Sequence, residues 1–144
     1  MSTVKAPLIV ACSDKRLNDS IFSRLLGELG LVCPGFFSLR VLGGALSLNN
    51  QGLDAIQACN ALTFYSQLER LATYGADALV ITVHGGECLE AINHFKLYKK
   101  GVAPDEEAAI LQGWLSGALA GCRQRITGIP VVPFFIPGEW LGGH

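Results

Sequence analysis

The chain carries little charge and no excess of either sign. Asp, Glu, Lys and Arg make up 16% of its 144 residues, and 11 Lys and Arg stand against 12 Asp and Glu, a formal net of -1. That balance argues against a broad electrostatic grip on nucleic acid or an anionic membrane surface, which needs clustered like charge. No apolar run approaches the roughly 18 residues of a spanning helix, although half the residues are hydrophobic and the mean hydropathy is +0.37. The same hydrophobic content excludes an intrinsically disordered chain. Met1 to Pro7 lacks a signal-peptide pattern, and the apolar stretch Leu8–Cys12 is too short for its core. A cytoplasmic location is therefore expected. The five cysteines, Cys12, Cys33, Cys59, Cys88 and Cys122, are odd in number and form no CxxC pair. In that compartment they read as buried, catalytic or metal-bound thiols, not as a disulfide framework. There is no repeat, low-complexity stretch or linker, and the length fits one domain over 1–144. No GxGxxG, Walker or Cys-x5-Arg phosphate loop is present.

What the chain does have is an alternation of short apolar runs with helical periodicity. Ala6–Cys12, Gly35–Leu42, Asp77–Val83 and Ile129–Ile136 read as strands, the last at a sheet edge because of Pro130 and Pro133. Helices are expected after the caps Asn18 and Asp19, ending at Gly30, and from about Gln51 to Tyr74. In the second of these, Leu53, Ile56, Leu62, Tyr65, Leu68 and Leu71 form the apolar stripe. Further helices are expected over Glu87–Tyr98 and from Pro104 to about Arg123, the latter with Asp105, Glu106 and Glu107 at its positive end. This order predicts an α/β fold, a mostly parallel β-sheet flanked by helices, with ligands bound outside the strand C-termini near a switch in strand order.

Reactive side chains collect at those strand ends. Strand one runs into Cys12-Ser13-Asp14-Lys15-Arg16, and strand three into His84-Gly85-Gly86-Glu87-Cys88. If the two strands are neighbours, two thiols, an imidazole, a carboxylate and a guanidinium meet at one point. Cysteine and histidine around an open position make a catalytic zinc site, and thiolates select zinc over magnesium or calcium. The plainer readings are a packed thiol for Cys12, a helix cap for His84, and a simple ion pair for Asp14 and Arg16. Gly85-Gly86 reads either as a plain turn or as an anion cradle of backbone N–H groups. His94 is expected to face solvent, and Cys33, Cys59 and Cys122 to be core or surface thiols. A cysteine hydrolase with Cys88 as nucleophile and His84 as base leaves Cys12-x-Asp14-x-Arg16 without a role.

Cys12-x-Asp14-x-Arg16 at the end of an apolar strand, followed after a long helix by a strand-end His84 and Cys88, resembles the metal motifs of the β-class carbonic anhydrases. Arg40-Val-Leu-Gly-Gly44 is similar to the family's Arg-Asn-Ala-Gly-Gly, with Val41 in place of Asn. The resemblance covers roughly residues 8 to 92. It implies a zinc lyase that hydrates CO2, or a related heterocumulene such as COS or CS2, to bicarbonate or its analogue. It also implies zinc on Cys12, His84 and a third ligand, Asp14 as proton acceptor, Arg16 holding Asp14 off the metal, and a homodimer or higher oligomer. The Gln51–Tyr74 helix and the last strand are the candidate contact elements. The family spacing is His-x-x-Cys. Here Glu87 occupies that place and Cys88 follows, so Cys88 is the expected ligand and Glu87 the alternative. Lys15 inside the first motif is also unusual for the family. The reading of a different class is a protein with this fold but no catalysis, binding a small molecule or anion, or acting as an interaction subunit.

Overall fold

The computed structural model describes residues 4–49 and 54–142. Four strands, β1 (Pro7–Cys12), β2 (Phe37–Val41), β3 (Ala78–His84) and β4 (Val131–Ile136), form one sheet in the order β2-β1-β3-β4, with every pairing parallel. The α/β expectation therefore holds. β1 and β3 are buried at every position, as central parallel strands covered on both faces must be. β4 lies at the edge, where Pro133 costs no central ladder hydrogen bond.

The helices are α1 (Asp19–Glu28), α2 (Ala55–Thr73), α3 (Leu89–Asn93) and α4 (Pro104–Arg125). Right-handed crossovers place α1 on one face of the sheet and α2 and α4 on the other. In keeping with this, Tyr65 of α2 lies 3.6 Å from the Cys122 sulfur of α4, and its ring lies 3.9 Å under the Arg125 guanidinium. Asn18 caps α1, its Oδ1 accepting from the Ile21 N–H at 3.0 Å. At the other end Gly30, at φ 73°, closes a Schellman turn in which the Leu31 N–H reaches the Leu26 carbonyl at 2.8 Å. α4 starts on Pro104 as expected. No helix among the described residues is long and apolar enough to cross a membrane.

Two helical expectations need correction. α2 opens on a capping box between Asp54 and Gln57, and the expected start at Gln51, with Leu53, lies outside the described residues. Its buried face is Gln57, Phe64, Tyr65 and Leu68, whereas Ile56 and Leu62 are about two-thirds exposed. At roughly 100° per residue, Ile56 and Leu62 point about 100° and 140° away from Gln57, off the true stripe. The helix expected over Glu87–Tyr98 shrinks to α3, a little over one turn. Positive φ at Glu87 (64°) and Lys96 (53°) interrupts the helix on both sides, and the Leu97 N–H returns to the Ala91 carbonyl.

A 3-10 turn, Gly44–Leu48, packs against β1 and β3 just beneath their C-terminal ends. Gly44 makes that approach possible. It sits at φ 59°, and a Cβ there would stand 2.6 Å from the Thr82 carbonyl oxygen and 3.0 Å from the Cys12 nitrogen. Gly27, inside α1, has nothing within 4 Å of an added Cβ. Gly44→Ala is expected to destabilise the fold by roughly 3 kcal/mol, and Gly27→Ala to stabilise it by about 0.5 kcal/mol. Denaturant midpoints compared at constant slope check both values.

Candidate metal centre

The strand order reverses its direction of growth between β1 and β3, and the crevice beyond their C-termini is where the chain gathers its reactive groups. Cys12 ends β1, His84 ends β3, and Cys88 is the N-cap of α3 four residues on. All three are buried, and their ligand atoms lie within 4.8 Å of one another. Glu87 is not in the group. Its carboxylate accepts from the Gly101 N–H at 3.1 Å.

His84 is oriented by its own backbone. Nδ1 donates to the Gly85 carbonyl oxygen at 2.6 Å, leaving Nε2 aimed into the cluster. Nε2 is buried without a hydrogen-bond partner and lies 3.7 Å from Asp14 Oδ2. An orphaned buried nitrogen is costly unless something occupies its lone pair. The two sulfurs are coupled. The hydrogen bond from Cys88 and the neighbouring His84 pull the Cys12 thiol down against the opposing effect of burial. Sharing its proton with Cys12, together with burial, pushes the Cys88 thiol up. Burial works against the His84 imidazolium, but the Cys12 sulfur more than offsets this and raises it. Two sulfurs and one imidazole nitrogen, converging around an unfilled lone pair, form a donor set that fits zinc. Bonds of about 2.0–2.3 Å in a tetrahedron need ligand atoms roughly 3.5–4 Å apart, and the three atoms here lie within 4.8 Å of one another.

Asp14 and Arg16 stand beside the cluster as an ion pair. Asp14 Oδ2 accepts from Arg16 Nη2 at 2.8 Å, and Oδ1 accepts from the Arg16 backbone N–H at 2.8 Å and from Nε at 3.1 Å. Hydrogen bonds from the Arg16 side chain hold the Asp14 carboxyl down at about 2. Arg16 Nη2 also donates to the Gly86 carbonyl at 2.8 Å, tying the first motif to the second. A cleft of about 500 Å³ opens over this pair, with Cys12 in its wall and the exposed apolar side chains of Leu42 and Leu89 at its sides. His94, at the rim, is mostly exposed and pairs with Glu90 at 2.9 Å.

Three contributors carried no functional reading in the sequence. Glu107, expected only to favour the helix dipole, is buried. Its carboxylate accepts from the Gly86 and Glu87 N–H groups, both at 2.9 Å, and from the Tyr98 hydroxyl at 2.7 Å. The glycine turn does cradle an anion, but the anion is the chain's own carboxylate. The available signal was an acid on the buried stripe Glu107, Leu111, Leu115, Ala118 and Cys122 of α4. Tyr98, the second contributor, is the last residue of the helix expected over Glu87–Tyr98 and lies beyond α3. Arg40, the third, belongs to the Arg-Val-Leu-Gly-Gly segment. Its Nε donates to the Cys12 carbonyl at 2.8 Å and its Nη2 to the Asp14 carbonyl at 2.7 Å, while the Gly43 N–H approaches the Cys12 sulfur at 3.3 Å. Cys122 is buried, Cys33 is half-buried and Cys59 is exposed, and none of them belongs to the cluster.

Comparison with protein-family models, curated proteins and solved structures returned no match. The chain's own geometry presents a buried Cys-His-Cys group able to hold a metal ion, at the switch point of a parallel α/β sheet.

Arg40 braces the first motif through carbonyls that no other side chain reaches among the described residues. Arg40→Ala is expected to cost roughly 1–2 kcal/mol, and Arg40→Lys to recover only part of it, because an ammonium cannot fork between two carbonyls. Urea titration of the three proteins checks the order.

Proposed function

We propose that the protein is a zinc-dependent lyase of the β-carbonic-anhydrase type, hydrating CO2 to bicarbonate or acting on a related small heterocumulene such as COS or CS2. The observation that carries this reading is the Cys12–His84–Cys88 cluster with the Asp14–Arg16 pair at its open side. Cys12 Sγ, His84 Nε2 and Cys88 Sγ would hold the zinc, with Glu87 excluded by its engagement with Gly101. Zinc bound there supplies a Lewis acid that lowers the pKa of a coordinated water toward neutrality.

The rest of the chemistry falls to the chain's own residues. Asp14 is held ionised and accepts a proton at Oδ2, the oxygen that faces His84. The two-point grip of Arg16 keeps that carboxylate from swinging onto the metal as a fourth ligand. Leu42 and Leu89 offer apolar surface to a small uncharged substrate, and Lys15 and Arg16 offer positive charge to the anionic product leaving the cleft. The exposed Ile56 and Leu62 on α2 support self-association as part of the same reading.

Zinc analysis of protein purified without an affinity tag is expected to give about one zinc per chain. Cys12→Ser and His84→Ala should abolish binding. Cys88→Ser should lose zinc while Glu87→Gln keeps it, and X-ray absorption should show two Zn–S distances of about 2.3 Å. A metal-free wild type would leave a protein of this fold that binds a small molecule or anion without catalysis.

Asp14 and Arg16 give a second measurement. Asp14→Asn should retain zinc yet lower CO2 hydration, followed by stopped flow, by about 100-fold. Arg16→Ala should also lower it, since a released Asp14 can close the open position. Unchanged rates in both would reduce the pair to a structural ion pair.

A further inference from the structure

Within residues 85–88, Glu87 adopts a conformation that its own side chain does not favour. Gly86 is at φ 70°, and Glu87, with a Cβ, is at φ 64°. A non-glycine residue there is strained, and persists only when its surroundings over-determine it. The surroundings here are specific. Three successive N–H groups, those of Gly86, Glu87 and Cys88, are each taken by a buried oxygen. Glu107 accepts the first two, one on each carboxylate oxygen, and the Tyr98 hydroxyl accepts the third at 3.2 Å while donating its own proton to Glu107 Oε2 at 2.7 Å. Burial and the Glu107 carboxylate push the Tyr98 hydroxyl up, so it stays a donor. On the opposite side of the backbone, Arg16 Nη2 holds the Gly86 carbonyl.

The position of Cys88 follows from this clamp. Cys88 stands four residues after His84, with Gly85, Gly86 and Glu87 between them. The left-handed turn at Gly86 and Glu87 sets which of Glu87 and Cys88 faces the cluster. The Glu87 side chain leaves toward Gly101, and Cys88 comes to face Cys12 and His84.

We propose that Glu107 and Tyr98 are positioning residues of the metal centre, a buried carboxylate–phenol pair that fixes residues 86–88 so that Cys88, and not Glu87, completes the cluster. The inference rests on the metal-site reading above and extends it to residues that touch neither metal nor substrate. Glu107→Gln keeps the volume but sets an amide N–H₂ against a backbone N–H. Tyr98→Phe removes one oxygen and leaves the Cys88 N–H unpaired with the ring in place.

The test measures zinc affinity by chelator competition, together with the absorption spectrum of the cobalt(II)-substituted protein, whose sulfur-to-cobalt charge-transfer intensity follows the number of thiolate ligands. Both variants are expected to bind zinc about 10- to 100-fold more weakly. Glu107→Gln is also expected to lose about half of the charge-transfer intensity, since one of two thiolates leaves. Asp77→Ala, which removes the carboxylate that accepts from the Lys5 and Ala6 N–H groups at the opposite ends of β1 and β3, should leave affinity and spectrum unchanged. If Glu107→Gln does not fold, Tyr98→Phe carries the affinity measurement alone. Wild-type affinity and spectrum in the folded variants, or an equal loss in Asp77→Ala, would overturn the positioning role while leaving the metal site standing. A wild type that binds neither zinc nor cobalt would overturn the metal-site reading and this inference with it.

Discussion

The parallel pairing of β1 with β3 is the contact on which everything else rests. Each strand is buried on both faces, so a slip of register would push side chains packed for one face into the other. Pairing runs from Pro7↔Ala78 to Val10↔Ile81, and extending it brings Cys12 level with Val83, one residue short of His84. Neighbouring strands lie about 4.8 Å apart. Cys12 and His84 thus end neighbouring strands at almost the same height, and their ligand atoms lie within 4.8 Å of each other. The hydrophobic burial that stabilises the sheet is also what brings the two residues together.

The third member of the cluster is held differently. Cys88 lies beyond the sheet, on a turn of four residues, and is fixed by polar contacts from three separate elements. These are Glu107 at the first turn of α4, Tyr98 after α3, and Arg16 after β1. Because Arg16 is also the partner of Asp14, the acid that faces His84 and the loop that carries Cys88 share one guanidinium. A change at any of these groups is felt at the others, and substitutions among them are not expected to add.

The cleft joins two kinds of surface. Its lining includes the polar group of Cys12, Asp14 and Arg16, of which Cys12 is buried and Asp14 and Arg16 are half-buried. Its walls include Leu42 and Leu89, apolar side chains left exposed next to that polar group. Apolar surface beside a few convergent polar groups is the make-up common to small-molecule pockets.

Much of this was readable in the residues themselves. Continuous apolar runs marked the strands, Asn18 and Gly30 bracketed α1, and Pro104 opened α4. The grouping of Cys12, Asp14 and Arg16 at one strand end, with His84 and Cys88 at another, pointed to one site, because parallel α/β sheets collect their strand C-termini on one edge. These features depend on neighbours in the chain, and local spacing records them. Strand order, the true face of α2, the break of the expected Glu87–Tyr98 helix, and the burial of Glu107 depend on contacts between residues distant in sequence. Ile56 and Leu62 are expected on the apolar stripe from their spacing and are exposed, because only the angle at which α2 docks decides which stripe is buried. In the sequence Cys88 is the expected third ligand and Glu87 the alternative, and local spacing does not separate them. The turn that sends one toward Gly101 and the other toward Cys12 is set by a carboxylate 20 residues further along, and no local pattern encodes that contact.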